Sequence, residues 1–298
     1  MSRLCVTLSD LVPKYLALRF DRCAIHLDGF QKMLEIRGGI SSIDSISSIR
    51  MSIFWVEHNM CAAQDTTPQF PPPYHLLNSP YSTAVRSRGQ VHCDEILLFS
   101  GISDLISHEV LDVLRGLSYL TVSFKERNVQ KISLENPNFP GFAFYPELHK
   151  LLAMQSTMVH DRDKNAIQEL IRLGGIFFLA EVRRSLSISP VMTNVQSAKL
   201  RSLLASESIL WSQELDSLRT WAIVMAGCAA STDADRSWAV QSLTFANGFT
   251  VYKVWEDVYK IVSRMWWIDA ICSLKFFTTK LLHGNEPRVL DHSPLPTS

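Results

Sequence analysis

Apolar residues recur at the three- and four-residue spacing of an α-helix along most of the chain. The clearest stripe covers residues 163–184, and residues 251–268 carry an almost unbroken i, i+3, i+4, i+7 series. Such stripes predict amphipathic helices that bury one face. No window shows the alternation of a half-buried strand, so the sequence predicts an all-α fold. The same spacing predicts further helices at 22–37, 48–64, 104–124, 146–159, 195–205, 209–231, 235–247 and 270–282.

Glycine and proline predict where these helices end. Gly38 and Gly39 stop the first helix. Prolines concentrated after residue 66 predict a long Pro-rich loop over 66–101. A polar, proline-rich tail at 284–298 predicts disorder. The predicted organisation is therefore an atypical segment at 1–21, one irregular multi-helix domain at 22–283, and the tail.

Two features of the stripe at residues 163–184 predict how that helix packs. Gly174 and Gly175 lie inside the helix, where they indicate a close contact with another helix. The side opposite the stripe is predicted to be polar and carries Asp163, Lys164, Gln168, Glu169 and Arg172. Side chains predicted to lie in the core are Ile171, Phe178, Trp221, Val258 and Val262.

Charge and cysteine spacing narrow the classes of function. The 298 residues include 29 basic and 29 acidic side chains, and 47% are apolar. A nucleic-acid-binding module usually carries a basic excess, so direct DNA binding is not expected. The six cysteines form no CxxC pair, which excludes a local zinc finger. Cys228 and Cys272 lie in apolar stretches and are expected to pack as small hydrophobic residues.

Targeting and membrane segments are not predicted. The most apolar runs are far shorter than the ~20 residues of a membrane-spanning helix. No secretory signal is visible near the start, where Asp10 and Pro13 interrupt the apolar residues. We therefore expect an intracellular chain that is neither secreted nor embedded in a membrane.

Candidate chemistry is sparse. His160 and Asp161, with Asp163, could contribute to the metal site of a helical hydrolase. The pair lies at a helix boundary, however, where an N-cap for the helix from 164 onward is the preferred explanation of Asp161 or Asp163. Thr232 and Asp235 predict a weak capping box. No phosphate loop, nucleophile elbow or reactive cysteine motif occurs. The sequence therefore predicts no catalytic, cofactor, metal or DNA-binding residue, and no enzyme activity.

Several segments resemble the fungal-specific transcription factor domain, the helical region that follows a binuclear zinc cluster in many fungal regulators. The resemblance rests on 24–39, 54–71, the sequence AIQELIRLGGIFFLAEVRR from Ala166, and LRTWAIVMAGCAA from Leu218. It implies a nuclear regulatory domain that acts through protein partners, self-association or a small effector.

The chain departs from that family in one respect. It carries no zinc cluster of six closely spaced cysteines, so any DNA contact is expected to come from a partner. A truncated gene model, a fragment or a free-standing regulatory domain would each explain the missing cluster. Two alternatives remain open at this stage. One is an all-α metal-dependent hydrolase that uses His160 and Asp161, and the other is a helical scaffold without catalytic activity.

Overall fold

The computed structural model describes residues 20–76, 83–126, 144–154, 161–188, 191–246, 249–250 and 255–272. The predicted segment 1–21 lies almost wholly outside these ranges, as do the end of the predicted helix 146–159, residues 273–282 and the predicted disordered tail. The α-helices of the described part are α1 (Phe20–Ile36), α2 (Ser47–Gln64), α3 (Thr83–Ser100), α4 (His108–Glu126), α5 (Tyr145–Ala153), α6 (Arg162–Ser185), α7 (Asn194–Ser206), α8 (Asp216–Cys228), α9 (Asp233–Thr244) and α10 (Trp255–Val262).

Short elements complete the described part and leave the fold all-α, as predicted. Turns of 3-10 helix occupy Ile40–Ile43, Ser103–Leu105, Ser208–Trp211 and Gln213–Leu215. The only strands in the described ranges, Phe245–Ala246 and Phe249–Thr250, form one antiparallel pair. No described helix is both long and apolar enough to cross a membrane.

Helix α1 ends at the glycine pair, as predicted. Gly38 and Gly39 have φ angles of 93° and 94°, a region that glycine enters without steric cost. The Gly39 N–H donates to the Leu34 carbonyl at 2.8 Å, which satisfies a carbonyl at the end of the helix. The chain then turns through Ile40–Ile43 and enters α2.

The predicted loop over 66–101 is wrong in its second half. Residues 66–76 are not helical, but α3 begins at Thr83 and continues to Ser100. No proline follows Pro80 in this segment, and Val85, Cys93 and Ile96 are buried on one face of α3. That face packs on α4, so tertiary burial outweighs the weak sequence signal for a helix.

The helix predicted at 251–268 is shorter in the structure. Helix α10 ends at Val262, and residues 263–272 form turns, bends and irregular chain. The indole N–H of Trp221 donates to the Trp266 carbonyl at 2.9 Å, and the Trp266 indole donates to the Ser118 hydroxyl at 2.8 Å. These bonds hold buried tryptophan in a non-helical segment. The prediction at 209–231 is also divided, because two 3-10 turns precede α8.

Helix α6 lies at the centre of the fold and confirms the predicted core. Ile171, Phe178, Trp221, Val258 and Val262 have no exposed surface. A Cβ added at Gly174 would stand 2.4 Å from Cζ3 of Trp221, and one at Gly175 would stand 2.8 Å from Leu151. The two glycines therefore permit α8 and α5 to approach α6 closely, as the sequence predicted.

The buried apolar side chains form two clusters. The main core extends from α3 and α4 through α6 and α8 to α10. The minor core lies between α1 and α2. Helix α2 contributes to both clusters, since Phe54 belongs to the main core and Ile53 to the minor core. The minor core consists of Cys23, Phe30, Leu34, Ile43, Ile49, Ile53, Val56, Met60 and Phe70.

Candidate functional site

A cleft of about 260 Å³ opens beside the minor core. Helix α1, the C-terminal half of α2 and residues 66–69 form its walls. Asp28 and Glu57 supply carboxylates, while Leu27 and Met60 supply apolar surface. Ala24 and Cys61 also line the cleft, together with the neutral polar side chains of Gln64, Thr66, Thr67 and Gln69.

Glu57 is the buried charged group of this cleft, with 3% of its surface exposed. Its Oε1 accepts the backbone N–H of Gln69 at 2.6 Å and that of Phe70 at 3.1 Å. Burial raises the pKa of Glu57 to about 7, because removal from water penalises the carboxylate. The two backbone N–H bonds and the charge of Arg50 limit that rise. Glu57 therefore lies close to half ionisation near neutral pH.

The local sequence explains why the 66–70 segment returns to α2. Asp65 ends the helix in the left-handed conformation, with φ 54°, and Thr66 N–H bonds the Cys61 carbonyl at 3.0 Å. Phe70 then packs edge to face on Phe30, with ring centroids 6.3 Å apart. This contact in the minor core brings the backbone N–H groups of the segment to the Glu57 carboxylate.

A buried ion cluster fixes the end of α2 to the main bundle. The two carboxylate oxygens of Asp65 accept Arg172 Nη1 at 2.7 Å and Nη2 at 2.8 Å. Lys199 donates to Asp65 at 2.5 Å, and Glu169 also pairs with Arg172. Burial works to raise the pKa of Asp65, but the two cations outweigh it and the pKa is lowered.

Arg172 corrects one prediction from the sequence. We expected it on the polar side of α6, yet only 1% of its surface is exposed. The pairing with Asp65 and Glu169 is what makes this burial tolerable. Gln168 and Glu169 are half-buried, while Asp163 and Lys164 are exposed as expected.

A second polar network lies where α2 faces α5 and α6. His58 Nδ1 donates to the Phe54 carbonyl at 2.8 Å, so its Nε2 accepts from His149 Nδ1, also at 2.8 Å. Burial lowers the pKa of His58 well below its usual value, and lowers that of His149 to about 4. Both rings are therefore neutral near pH 7 and act as hydrogen-bonding parts of the core.

The next residue of α2 continues this network. Asn59 donates to the Tyr145 hydroxyl at 2.8 Å and accepts a short hydrogen bond from Arg183. Arg183 is buried, with 3% of its surface exposed. Neighbouring Arg184 bonds the Ala229 carbonyl at 2.8 Å and so caps the end of α8.

A second cavity, of about 170 Å³, lies between Ser103–Leu105 and the start of α6. Its charged lining residues, Asp104 and Lys164, are both exposed. An exposed pair of opposite charges is readily satisfied by water, so this cavity offers little to select a ligand. The Glu57 cleft is the better candidate site.

The structure also places the residues of the alternative hydrolase hypothesis. His160 lies outside the described residues. Asp161 caps α6, since its Oδ1 accepts the backbone N–H groups of Asp163 at 3.0 Å and Lys164 at 3.2 Å. Within the described ranges no cluster of three or more His, Cys, Asp or Glu side chains could hold a metal. At the predicted Thr232–Asp235 capping box, Asp235 N–H donates to Thr232 Oγ1 at 3.1 Å, and the Thr232 hydroxyl donates to Asp235 Oδ2 at 2.7 Å.

The comparisons with known proteins give no family to this chain. Neither its sequence, set against protein-family models and curated proteins, nor its structure, set against solved structures, finds a match.

Sequence reasoning missed Glu57, although a signal for it exists. Glu57 lies four residues after Ile53 and three before Met60, which places the carboxylate on the apolar face of α2. A charged residue on such a face is a candidate for a buried functional group.

Proposed function

We propose that this chain is a helical regulatory domain that binds a small effector in the Glu57 cleft and acts through a protein partner. The observation that carries the proposal is the position of the cleft. It lies between α1 and α2, and α2 belongs to both the minor core and the main core. A ligand that contacts Leu27 and Met60 would therefore couple α1 to the main bundle.

The rigidity of α2 supports this coupling. Asp65 anchors its end to α6 and α7, and His58 and Asn59 anchor its middle to α5 and α6. A ligand that binds α1 preferentially in one position shifts the population of that position, by as much as its differential affinity allows. The face that α1 presents to a partner would change with it.

The resemblance to the fungal transcription factor domain supports a role in transcription and a nuclear location. The equal numbers of basic and acidic residues, 29 of each, do not favour specific DNA binding by this chain alone. We therefore propose that a partner supplies the DNA contact.

A tethering experiment tests the regulatory role. The full chain is fused to a heterologous DNA-binding domain in yeast cells that carry a matching reporter gene. We expect reporter transcription to differ from that given by the DNA-binding domain alone and by its fusion to an unrelated helical protein. An unchanged reporter, with the fusion in the nucleus at equal abundance, would refute the proposal.

A further inference from the structure

We propose that the Glu57 cleft binds a small organic cation, an ammonium group on a short aliphatic stem, with its charge on Glu57. This inference rests on the proposed function, because it names the chemical class of the effector at the same site.

The charges of the cleft select a cation. Of the described residues that line it, the acids are Asp28 and Glu57, and none is Lys, Arg or His. The nearby guanidinium of Arg50 donates Nε to Asp44 at 3.3 Å and Nη2 to the Pro71 carbonyl, while its Nη1 is buried without a hydrogen-bond partner among the described residues. Lys32 pairs with Asp28 at 2.8 Å, and 68% of its side chain is exposed. An anionic ligand would meet two carboxylates, whereas a cation would offset the burial of Glu57.

The hydrogen-bonding capacity of the cleft matches an ammonium group. A carboxylate can accept about four hydrogen bonds, and the N–H groups of Gln69 and Phe70 use only part of that capacity. An ammonium group has three donors. Glu57 can accept one, and the side-chain oxygens of Thr66 and Gln64 can accept the others.

The remaining lining fixes the size of the ligand. Leu27 and Met60 offer apolar surface to an aliphatic stem, and methionine adapts its shape to different stems. The volume, about 260 Å³, is slightly below the range of about 300–1,000 Å³ found for drug-sized ligands. The cleft therefore suits a short alkylammonium better than a polyamine or a nucleotide.

The affinity of the cleft for a cation should depend on pH through the ionisation of Glu57. The cation binds the ionised form of Glu57, whose pKa is about 7. The other groups around Glu57 are Asp28 on α1, and Arg50, His58 and Cys61 on α2. The pKa of His58 is lowered by burial and that of Cys61 is raised by burial to about 12, so neither changes charge near neutral pH. Affinity should therefore rise roughly tenfold between about pH 6 and about pH 8.

The experiment is isothermal titration of the full chain with butylammonium in phosphate buffer, beside butanol and butyrate as neutral and anionic isosteres. We expect butylammonium alone to bind, more tightly at the higher pH. Glu57→Gln keeps an acceptor for Gln69 and Phe70 but removes the charge, and should weaken binding at least tenfold. The control Glu35→Gln removes an exposed carboxylate of α1 that does not line the cleft, and should change the affinity by less than about threefold.

Three results would overturn the inference: no binding of butylammonium up to about 10 mM, equal binding of butanol, or affinity that does not change with pH. If Glu57→Gln does not fold, the pH series and the isosteres on the wild-type chain decide the outcome. A positive tethering experiment without cation binding would leave the regulatory role standing and refute the ligand class. Cation binding without any change in reporter transcription would support the ligand class and refute the regulatory role.

Discussion

At the scale of single residues, burial of Glu57 has a measurable effect on stability. The folded protein holds its proton up to a pKa of about 7, against a usual value of 4.5. Between these values the folded state binds more protons than the unfolded state, so stability falls as pH rises. The contribution of Glu57 to the free energy of unfolding is fully present below about pH 4.5 and is lost as pH rises through about 7.

We expect Glu57→Gln to abolish this loss. Relative to the variant, the wild type should lose up to about 3 kcal/mol of unfolding free energy between about pH 4.5 and pH 7. Urea unfolding of both proteins across this range gives the measurement. His58 and His149 titrate in both proteins, so the difference between the two curves isolates Glu57. Parallel curves would mean that Glu57 is ionised at ordinary pH in the folded state.

Some single residues were predicted correctly from the sequence, and others could not be. The stripe of α6 was sufficient to place Ile171 and Phe178 in the core, because helical spacing alone decides which face is apolar. Arg172 was placed on the wrong side, since its burial depends on Asp65, a partner 107 positions away along the chain. No local pattern encodes such a pairing.

At the scale of helices, Gly174 sets the approach of α6 and α8. We expect Gly174→Ala to destabilise the protein by about 1–3 kcal/mol, because the new Cβ would overlap the fully buried ring of Trp221. This cost opposes the gain of about 1 kcal/mol that alanine brings to a helix interior. Thermal or urea unfolding gives the measurement.

Gly29→Ala is the matched control. Gly29 lies inside α1, and a Cβ there would meet no atom within 4 Å. The variant should therefore gain roughly 0.5–1 kcal/mol from helix propensity alone. Equal gains at both positions would show that α8 can move away from α6 without cost.

The existence of one helix and the length of another could not be predicted from the sequence. Helix α3 was missed, because its buried face packs on α4 and its own periodicity is weak. Helix α10 was predicted too long, because residues 263–268 are as apolar as the helix before them. Tertiary hydrogen bonds from Trp221 and to Ser118 stabilise that segment outside a helix. Apolar periodicity reports burial, and it does not distinguish a helix from a buried turn.

At the scale of the whole molecule, the two cores should not be equally stable. Among the described residues, nine buried apolar side chains form the minor core, and α1 buries only one face on it. Ile25 and Ile36 on the same helix are 70% and 87% exposed. Helix α6, in contrast, is surrounded by the main core. Elements with few buried contacts open locally at a lower free-energy cost than the centre of a fold.

We therefore expect backbone amides of α1 to exchange hydrogen through a partial opening, and amides near Phe178 in α6 only through global unfolding. Native-state hydrogen exchange at low denaturant should give α1 an opening free energy that is lower by a few kcal/mol. Phe30→Ala, which removes a fully buried ring from the minor core, should speed exchange in α1. It should also speed exchange in α6, because global unfolding unpacks Phe30 as well. Ile171→Ala should speed exchange in α6 and leave α1 almost unchanged, since Ile171 stays packed in the main core when α1 alone opens. Equal opening free energies for α1 and α6 would show that the molecule unfolds as one unit, and α1 could then not move separately in response to a ligand in the cleft.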